Sequence, residues 1–267
     1  MIVRTEAVVL SSMKYRESSR ILRLYTRKSG KVSVIAKGAR QAKNRFGSAL
    51  QPMAYVTAVL YWKPDRDLQL LTQCDLISQF RNLADDMERM ACGMAVVELV
   101  DAVSHAEEEN VPLFELLVDT LGAADRATKH SRNALYYFEV HLLEILGFRP
   151  NFSTCSHCSI SIDEQTLGSM GGELRMGLGG IFCGRCAAEG MGFEKIGGGT
   201  VRVLQRMQEV HDAEAATRMA LTPQMRIEVG STLRRYLQGH IEGLRALRSE
   251  AVFSQLLEMK PFSGERI

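Results

Sequence analysis

Cys155 and Cys158 are separated by two residues, as are Cys183 and Cys186, and 24 residues lie between the pairs. A C-x-x-C turn aims two thiolates at one centre, and two such turns make a closed four-sulfur site. Zn²⁺ suits that donor set best, at about 2.3 Å per Zn–S bond. Four protein ligands leave no position for water or substrate, so the expected role is structural rather than catalytic. Two disulfides, four buried thiols or an iron–sulfur cluster are the other readings of this spacing. His157 could replace a cysteine ligand. Its neighbours already have ligand spacing, however, so it is expected to face solvent. Cys74 and Cys92 stand alone and read as small core residues.

A second kind of chemistry is carried by charge. The net charge is +2, but residues 1–80 hold 14 Lys/Arg against 5 Asp/Glu, residues 81–150 hold 6 against 13, and the remainder is balanced. A strongly basic first segment beside an acidic second one points to a polyanionic partner for the first alone. The densest basic run is Lys37, Arg40, Lys43 and Arg45, with Gly38 and Gly47 allowing turns. Cations so spaced can track a phosphate backbone. Arg23, Tyr25 and Arg27 alternate along one expected strand, opposite Leu22 and Leu24, and Tyr55 and Tyr61 lie opposite the apolar side of another. Charge beside aromatic rings is what single-strand binding requires: the cations hold phosphates and the rings stack bases.

Catalytic signatures are absent. The chain has no G-x-S-x-G, H-E-x-x-H or phosphate-cradling glycine loop, and Gly177-Leu-Gly179-Gly180 lacks the Lys-Ser/Thr that would follow. The six histidines, His157 included, are scattered. The expectation is a binding protein, not an enzyme. The longest apolar run near the start is Ala7–Leu10, preceded by Glu6, which does not make a signal peptide. No stretch approaches the ~18 apolar residues of a membrane span. A cytoplasmic, nucleoid-associated protein without membrane contact is expected.

These groups need elements to position them. Val3–Leu10, Arg20–Tyr25, Lys31–Ala36, Ala54–Trp62 and Leu68–Gln73 are short, rich in Val, Ile, Leu and Tyr, and separated by polar or glycine-bearing turns. Ala54, Val56, Ala58, Leu60 and Trp62 share one face by alternation and should be core. Five such strands suggest a small OB-type barrel. After Arg81 the period becomes helical. Met87, Met90, Met94 and Val97 form a stripe expected to fill core, although methionines also make adaptable binding surfaces. Pro112 opens a helix, Ser131 is placed to cap the next, and Gly147 ends that one ahead of Pro150. Gly171-Gly172, Gly179-Gly180 and Gly197-Gly198-Gly199 argue against helix around the cysteines. Metal stapling would then order that stretch. Thr200 is expected to cap a helix carrying Leu204 and Met207, and Thr222-Pro223 to start one reaching Leu244.

The expected architecture is α+β and multidomain. It comprises an OB-fold barrel over 1–80, a helical domain over 81–150 and 200–267, and a zinc module over 151–199 embedded within it.

Three segments carry a resemblance. They are Tyr15-Arg-Glu17-Ser18-Ser-Arg-Ile21-Leu22 with Gly30-Lys31, then Val34-Ile-Ala-Lys37-Gly38-Ala39-Arg40 with Leu50-Gln51-Pro52, and Leu146-Gly147-Phe148-Arg149-Pro150 running into Cys155. In this order they resemble the bacterial recombination mediator family RecO across the whole chain. The resemblance implies DNA repair and homologous recombination: binding of single- and double-stranded DNA, annealing of complementary strands, and loading of RecA onto strands coated by single-strand binding protein. It implies RecR, single-strand binding protein and, in some settings, RecF as partners. It carries over Lys37, Arg40, Lys43 and Arg45 as DNA contacts, with Arg23 and Arg27 beside them. Cys155, Cys158, Cys183 and Cys186 carry over as ligands of one structural Zn²⁺. Some members lack the cysteines, which implies that the metal stabilises the fold. Two other classes remain: an OB-fold RNA-binding protein of translation or RNA processing, and a zinc-containing scaffold whose basic barrel binds an acidic protein.

Overall fold

The computed structural model describes residues 1–41, 44–163, 174–244, 247 and 249. Two compact units divide the chain, Met1–Ala127 with Ala246–Ile267, and Thr128–Arg245. The boundaries expected from sequence lie at 80, 150 and 199, and the compact units divide at Ala127 and Arg245.

In the first unit β1 (Ile2–Tyr15), β2 (Ser19–Thr26), β3 (Gly30–Ala36), β4 (Tyr55–Tyr61) and β5 (Leu68–Ser78) close a barrel in the order β1-β2-β3-β5-β4. This is the expected OB-type barrel. The long β1 serves two neighbours: Ile2–Val8 pair with β4 and Ala7–Tyr15 with β2, and the register shifts between Val9 and Ser11. A bulge of this kind bends a strand enough to close a small barrel. β3 and β5 close the ring in parallel. Alternation delivers the core as expected. Val32, Val34 and Ala36 of β3 point inward with Ala54, Val56, Ala58 and Leu60, all almost fully buried, and Trp62 packs at the margin.

Among the described residues this unit also has two α-helices, α1 (Met87–Val103) and α2 (Val111–Arg126). Asp86 caps α1 by accepting from the Arg89 amide at 2.9 Å. Asn110 caps α2 by accepting from the Leu113 amide at 3.0 Å, with Pro112 in the first turn. The methionine stripe is a correction. Met87 and Met94 are 56% and 36% exposed; Val97 of the same stripe is buried as expected, together with Ala91, Cys92, Ala95, Val96, Leu99 and Val100. α1 is apolar nearly all round, so periodicity alone does not select its buried face; small residues allow the closest approach.

The second unit is helical around the cysteine module. It contains α3 (Arg132–Ile145), β6 (Leu174–Gly177), β7 (Gly180–Phe182), α4 (Gly184–Ala188), β8 (Glu194–Ile196), α5 (Gly198–Glu209), α6 (Ala213–Thr217) and α7 (Pro223–His240). Ser131 occupies the cap position of α3 without a side-chain capping bond, and Gly147 follows the helix end at φ +82°. The glycine triplet is a second correction: Gly197 is the cap of α5 and Gly198-Gly199 its first helical residues. Thr200 is therefore inside the helix. Its hydroxyl and the Gly197 amide both donate to Glu228 Oε2, at 2.6 and 3.0 Å, and an acidic acceptor at a helix start replaces the missing side-chain cap. A Cβ on Gly199 would meet only the terminal methyl of Met225 on α7. α7 ends at His240, four residues before the expected Leu244. Gly171-Gly172 lies outside the described residues. No described helix is long and apolar enough to cross a membrane.

Candidate metal centre and nucleic-acid interface

The metal centre is built from two pieces of chain. The first is the turn carrying Cys155 and Cys158, held by Cys155 N donating to Ile160 O at 2.8 Å and Ser159 N to Cys155 O at 2.9 Å. The second is the end of β7 with the start of α4, carrying Cys183 and Cys186. Ser156 N donates to Ile181 O at 2.7 Å and Ile181 N to Asn151 O at 2.9 Å, which fixes one turn against the other. The backbones approach so closely that a Cβ on Gly180, at φ +128°, would overlap the Asn151 main chain. From α5, Gln205 Nε2 donates to Phe152 O and Ile162 O at 2.8 and 2.9 Å, anchoring the module inside its unit.

The four sulfurs lie within 4.8 Å of one another. Cys158 and Cys183 Sγ are 3.7 Å apart, close to the about 3.8 Å edge of a tetrahedron with 2.3 Å metal–sulfur bonds. A disulfide needs about 2.05 Å, and all four cysteines are free, which sets that alternative aside. The donor set therefore fits a metal ion. His157 is exposed, as expected. The surroundings already favour thiolate. Cys183 N donates to Cys155 Sγ at 3.3 Å. Burial raises the Cys155 thiol, but the amides of Cys158, Cys183 and His157 outweigh it and hold it below its ordinary value. The Ile160 amide, with Arg185 among the further donors, draws Cys158 down to about 6. Cys186 is pushed up to about 12 by burial and by the neighbouring sulfurs. Cys74 and Cys92 are buried elsewhere, and burial pushes Cys74 up to about 12, as fits a core thiol.

The basic residues of the barrel fall into two groups. Lys37, Arg40 and Arg45 are exposed, in the connection after β3; Lys43 lies outside the described residues. That connection is shaped by a turn at Gly38, where Gln41 N donates to Gly38 O at 3.1 Å. Asn44 Oδ1 then accepts from the Phe46 and Gly47 amides at 3.1 and 2.8 Å. Phe46 is buried and pins the loop, leaving Arg45 outside over its ring at 5.1 Å. The connection packs on the turn between β1 and β2: Arg40 N donates to Ser18 O at 3.0 Å, and Arg40 Nη1 to Arg16 O at 2.7 Å. This brings in Lys14, Arg16 and Arg20, which were not selected from the sequence. Lys14 and Arg20 are directly opposite across β1 and β2. Strand pairing is what collects them; their scattered spacing along the chain gave no signal.

Arg23 and Arg27 are placed differently. Arg23 pairs with Asp101 at 2.5 Å, and Arg27 with Glu115 at 2.5 Å and Glu6 at 3.3 Å. Tyr25 between them is 1% exposed and packs on Phe114 of α2, 6.4 Å between ring centres; burial pushes its phenol up to about 12. It cannot stack a base there. Tyr55 also packs on Phe114, at 6.2 Å, whereas Tyr61 is 45% exposed beside Lys63.

Comparison with known proteins agrees with this architecture. The family model for the recombination protein O N terminal matches residues 1–80, and that for the recombination protein O C terminal matches residues 84–250. The chain is 32% identical to the DNA repair protein RecO of Salinibacter ruber over 262 residues, which is 97% of this chain and 96% of that protein. It is 30% identical to the DNA repair protein RecO of Symbiobacterium thermophilum over 251 residues, 94% and 96% of the two chains. With the DNA repair protein RecO of Anaeromyxobacter dehalogenans it shares 33% over 239 residues, 90% and 91%.

Proposed function

The chain belongs to the recombination protein O family, and from that membership we propose that it is a DNA repair and recombination mediator whose barrel binds DNA through the β1–β2 turn and the connection after β3. The observation that carries this reading is the exposed group Lys14, Arg16, Lys37, Arg40 and Arg45, joined by the Arg40–Arg16 hydrogen bond at 2.7 Å, with Arg20 partly exposed beside it. Like charges directly opposite each other on paired strands, as Lys14 and Arg20 are, destabilise a sheet unless an anion lies between them. A phosphate backbone supplies that anion.

The proposed reaction is annealing without a nucleotide cofactor. Two strands repel through their phosphates; a cationic surface screens that repulsion at close range and leaves the bases free to pair. In this reading the protein is not an enzyme. The closed four-sulfur site holds one structural Zn²⁺ and takes no part in the pairing. RecR, single-strand binding protein, RecF and RecA enter as partners by family. An RNA-binding role is less favoured, because the relatives are DNA repair proteins over nearly their full length.

The test is strand annealing. Complementary DNA strands should pair faster with the protein and without ATP, and the acceleration should fall as salt rises. Single-stranded DNA should bind at least as well as RNA of the same sequence. A requirement for ATP, no acceleration at low salt, or loss of affinity on removing the 2′-hydroxyls would overturn the proposal.

A further inference from the structure

The outer face of β2 and β3 is covered by the acidic stretch of its own unit. Asp101, near the end of α1, accepts from two strands at once. Arg23 Nη1 of β2 approaches its Oδ2 at 2.5 Å, and Lys31 Nζ of β3 lies 2.6 Å from its main-chain oxygen and 3.6 Å from Oδ1. Glu115 of α2 takes Arg27 Nη2 at 2.5 Å. Between these two anchors the chain runs along β3: Ala106 bridges Lys31 in parallel, and Glu107 N donates to Lys31 O at 3.0 Å. Gly30 makes this possible. At φ +56° it has no Cβ, and one there would overlap the Glu108 carbonyl. Glu107, Glu108 and Glu109 are all exposed on this segment. Beside it lies a polar hollow of about 440 Å³, lined among others by Arg23, Lys31, Arg66, Asp67 and Glu107.

Three of the cations in the barrel therefore already have carboxylate partners, Asp101 at the end of α1 and Glu115 at the start of α2, and the acidic connection between those helices touches β3 at Lys31. We propose that residues 101–115 are an internal polyanion that occupies the β2–β3 face, confining nucleic acid to the β1–β2 turn and the connection after β3. This rests on the reading of the barrel as a DNA-binding surface. It assigns Arg23 and Arg27 to the clasp, not to the DNA contacts. When the carboxylates are neutralised, Arg23, Arg27 and Lys31 become a second phosphate-binding row, with Arg66 at the edge of the hollow.

The test compares four full-length variants with the native protein by salt titration on a mixed-sequence single-stranded DNA oligonucleotide. R23A/R27A should leave the salt slope unchanged, since those charges are already paired. D101N/E115Q should steepen it by about 0.7 for each cation released; Glu6, 3.3 Å from Arg27, still holds part of that charge, so the gain should lie between about 1.4 and about 2. Adding R23A/R27A to D101N/E115Q should remove most of that gain. E189Q/E209Q, in the other unit, makes the same change in net charge and should not alter the slope. A flatter slope for R23A/R27A in the native background would overturn the proposal, and remains decisive should D101N/E115Q fold poorly. So would an unchanged slope for a folded D101N/E115Q. Absence of salt-dependent binding by the native chain is a different result: it removes the DNA-binding reading itself, and this inference with it.

Discussion

The barrel and the cysteine module reach order by opposite routes. In the barrel, alternating apolar residues of five paired strands fill a shared interior, and the described cations discussed above are partly or fully exposed. In the module the strands are three or four residues long and glycines interrupt them; four sulfurs from two separate turns occupy its centre. Burial of apolar area stabilises the first without help. The second has less of it, and in the function proposed above it is stabilised by ligand bonds that form only when the chain is folded. The comparison teaches where changes will act: chelation should strike one region and core truncation the other, and surface charge should affect binding without unfolding either.

The largest effect should come from the sulfurs. Elemental analysis of the native protein is expected to give one Zn²⁺ per chain, and Cys158→Ser should lose most of the metal affinity. Metal binding and folding are one process at such sites, so the loss of stability should be several kcal/mol and should appear as proteolysis within residues 150–200. Binding of DNA by the barrel should persist in part. A metal-free preparation of equal stability would contradict the contrast between the regions.

Leu60→Ala is the converse. Leu60 is fully buried in the barrel, and deleting its side chain should cost about 2–5 kcal/mol. DNA binding should fall with barrel stability while metal content stays at the native level. Equal loss of both would show the two regions to be one cooperative body.

A smaller effect separates packing from charge inside the helical unit. Burial raises the Glu228 carboxyl, but hydrogen bonds from Thr200, Gln224 and the Gly197 amide outweigh it and hold it below its ordinary value. A depressed carboxyl stabilises the fold above its unfolded value, and that contribution disappears as pH falls through the folded one. Glu228→Gln should therefore cost about 1 kcal/mol at neutral pH, with the difference from native shrinking as pH drops below about 4.5. A pH-independent difference in thermal stability would mean that shape, not charge, is what Glu228 provides at the start of α5.

Much of this was legible in the sequence, for physical reasons that differ by element. Val56, Ala58 and Leu60 alternate without exception, so the strand face was plain. The C-x-x-C pairs were plain because ligand spacing is local within each turn. α1 misled because it is apolar on several sides, and Met87 and Met94, selected as core by period, face outward. Gly198-Gly199 misled because glycine's low helix propensity was offset by the acceptor that Glu228 supplies at this helix start. Lys14, Arg16 and Arg20 were passed over because strand pairing, which a linear reading does not display, is what places them beside Arg40. Tyr25 alternates with Arg23 and Arg27 yet lies under Phe114 of α2, because alternation shows which side of a strand a residue is on, not whether a helix covers that side.

The account turns on one claim, that the exposed cations around the β1–β2 turn hold the phosphates. The measurement is the salt dependence of binding to single-stranded DNA, native protein against R16A/K37A/R40A/R45A. All four side chains are exposed, so the melting temperature should hardly move. The account predicts weaker binding to every sequence and a slope flatter by about 0.7 per lost contact, about 3 in all. A variant that folds normally and keeps the native slope would contradict it.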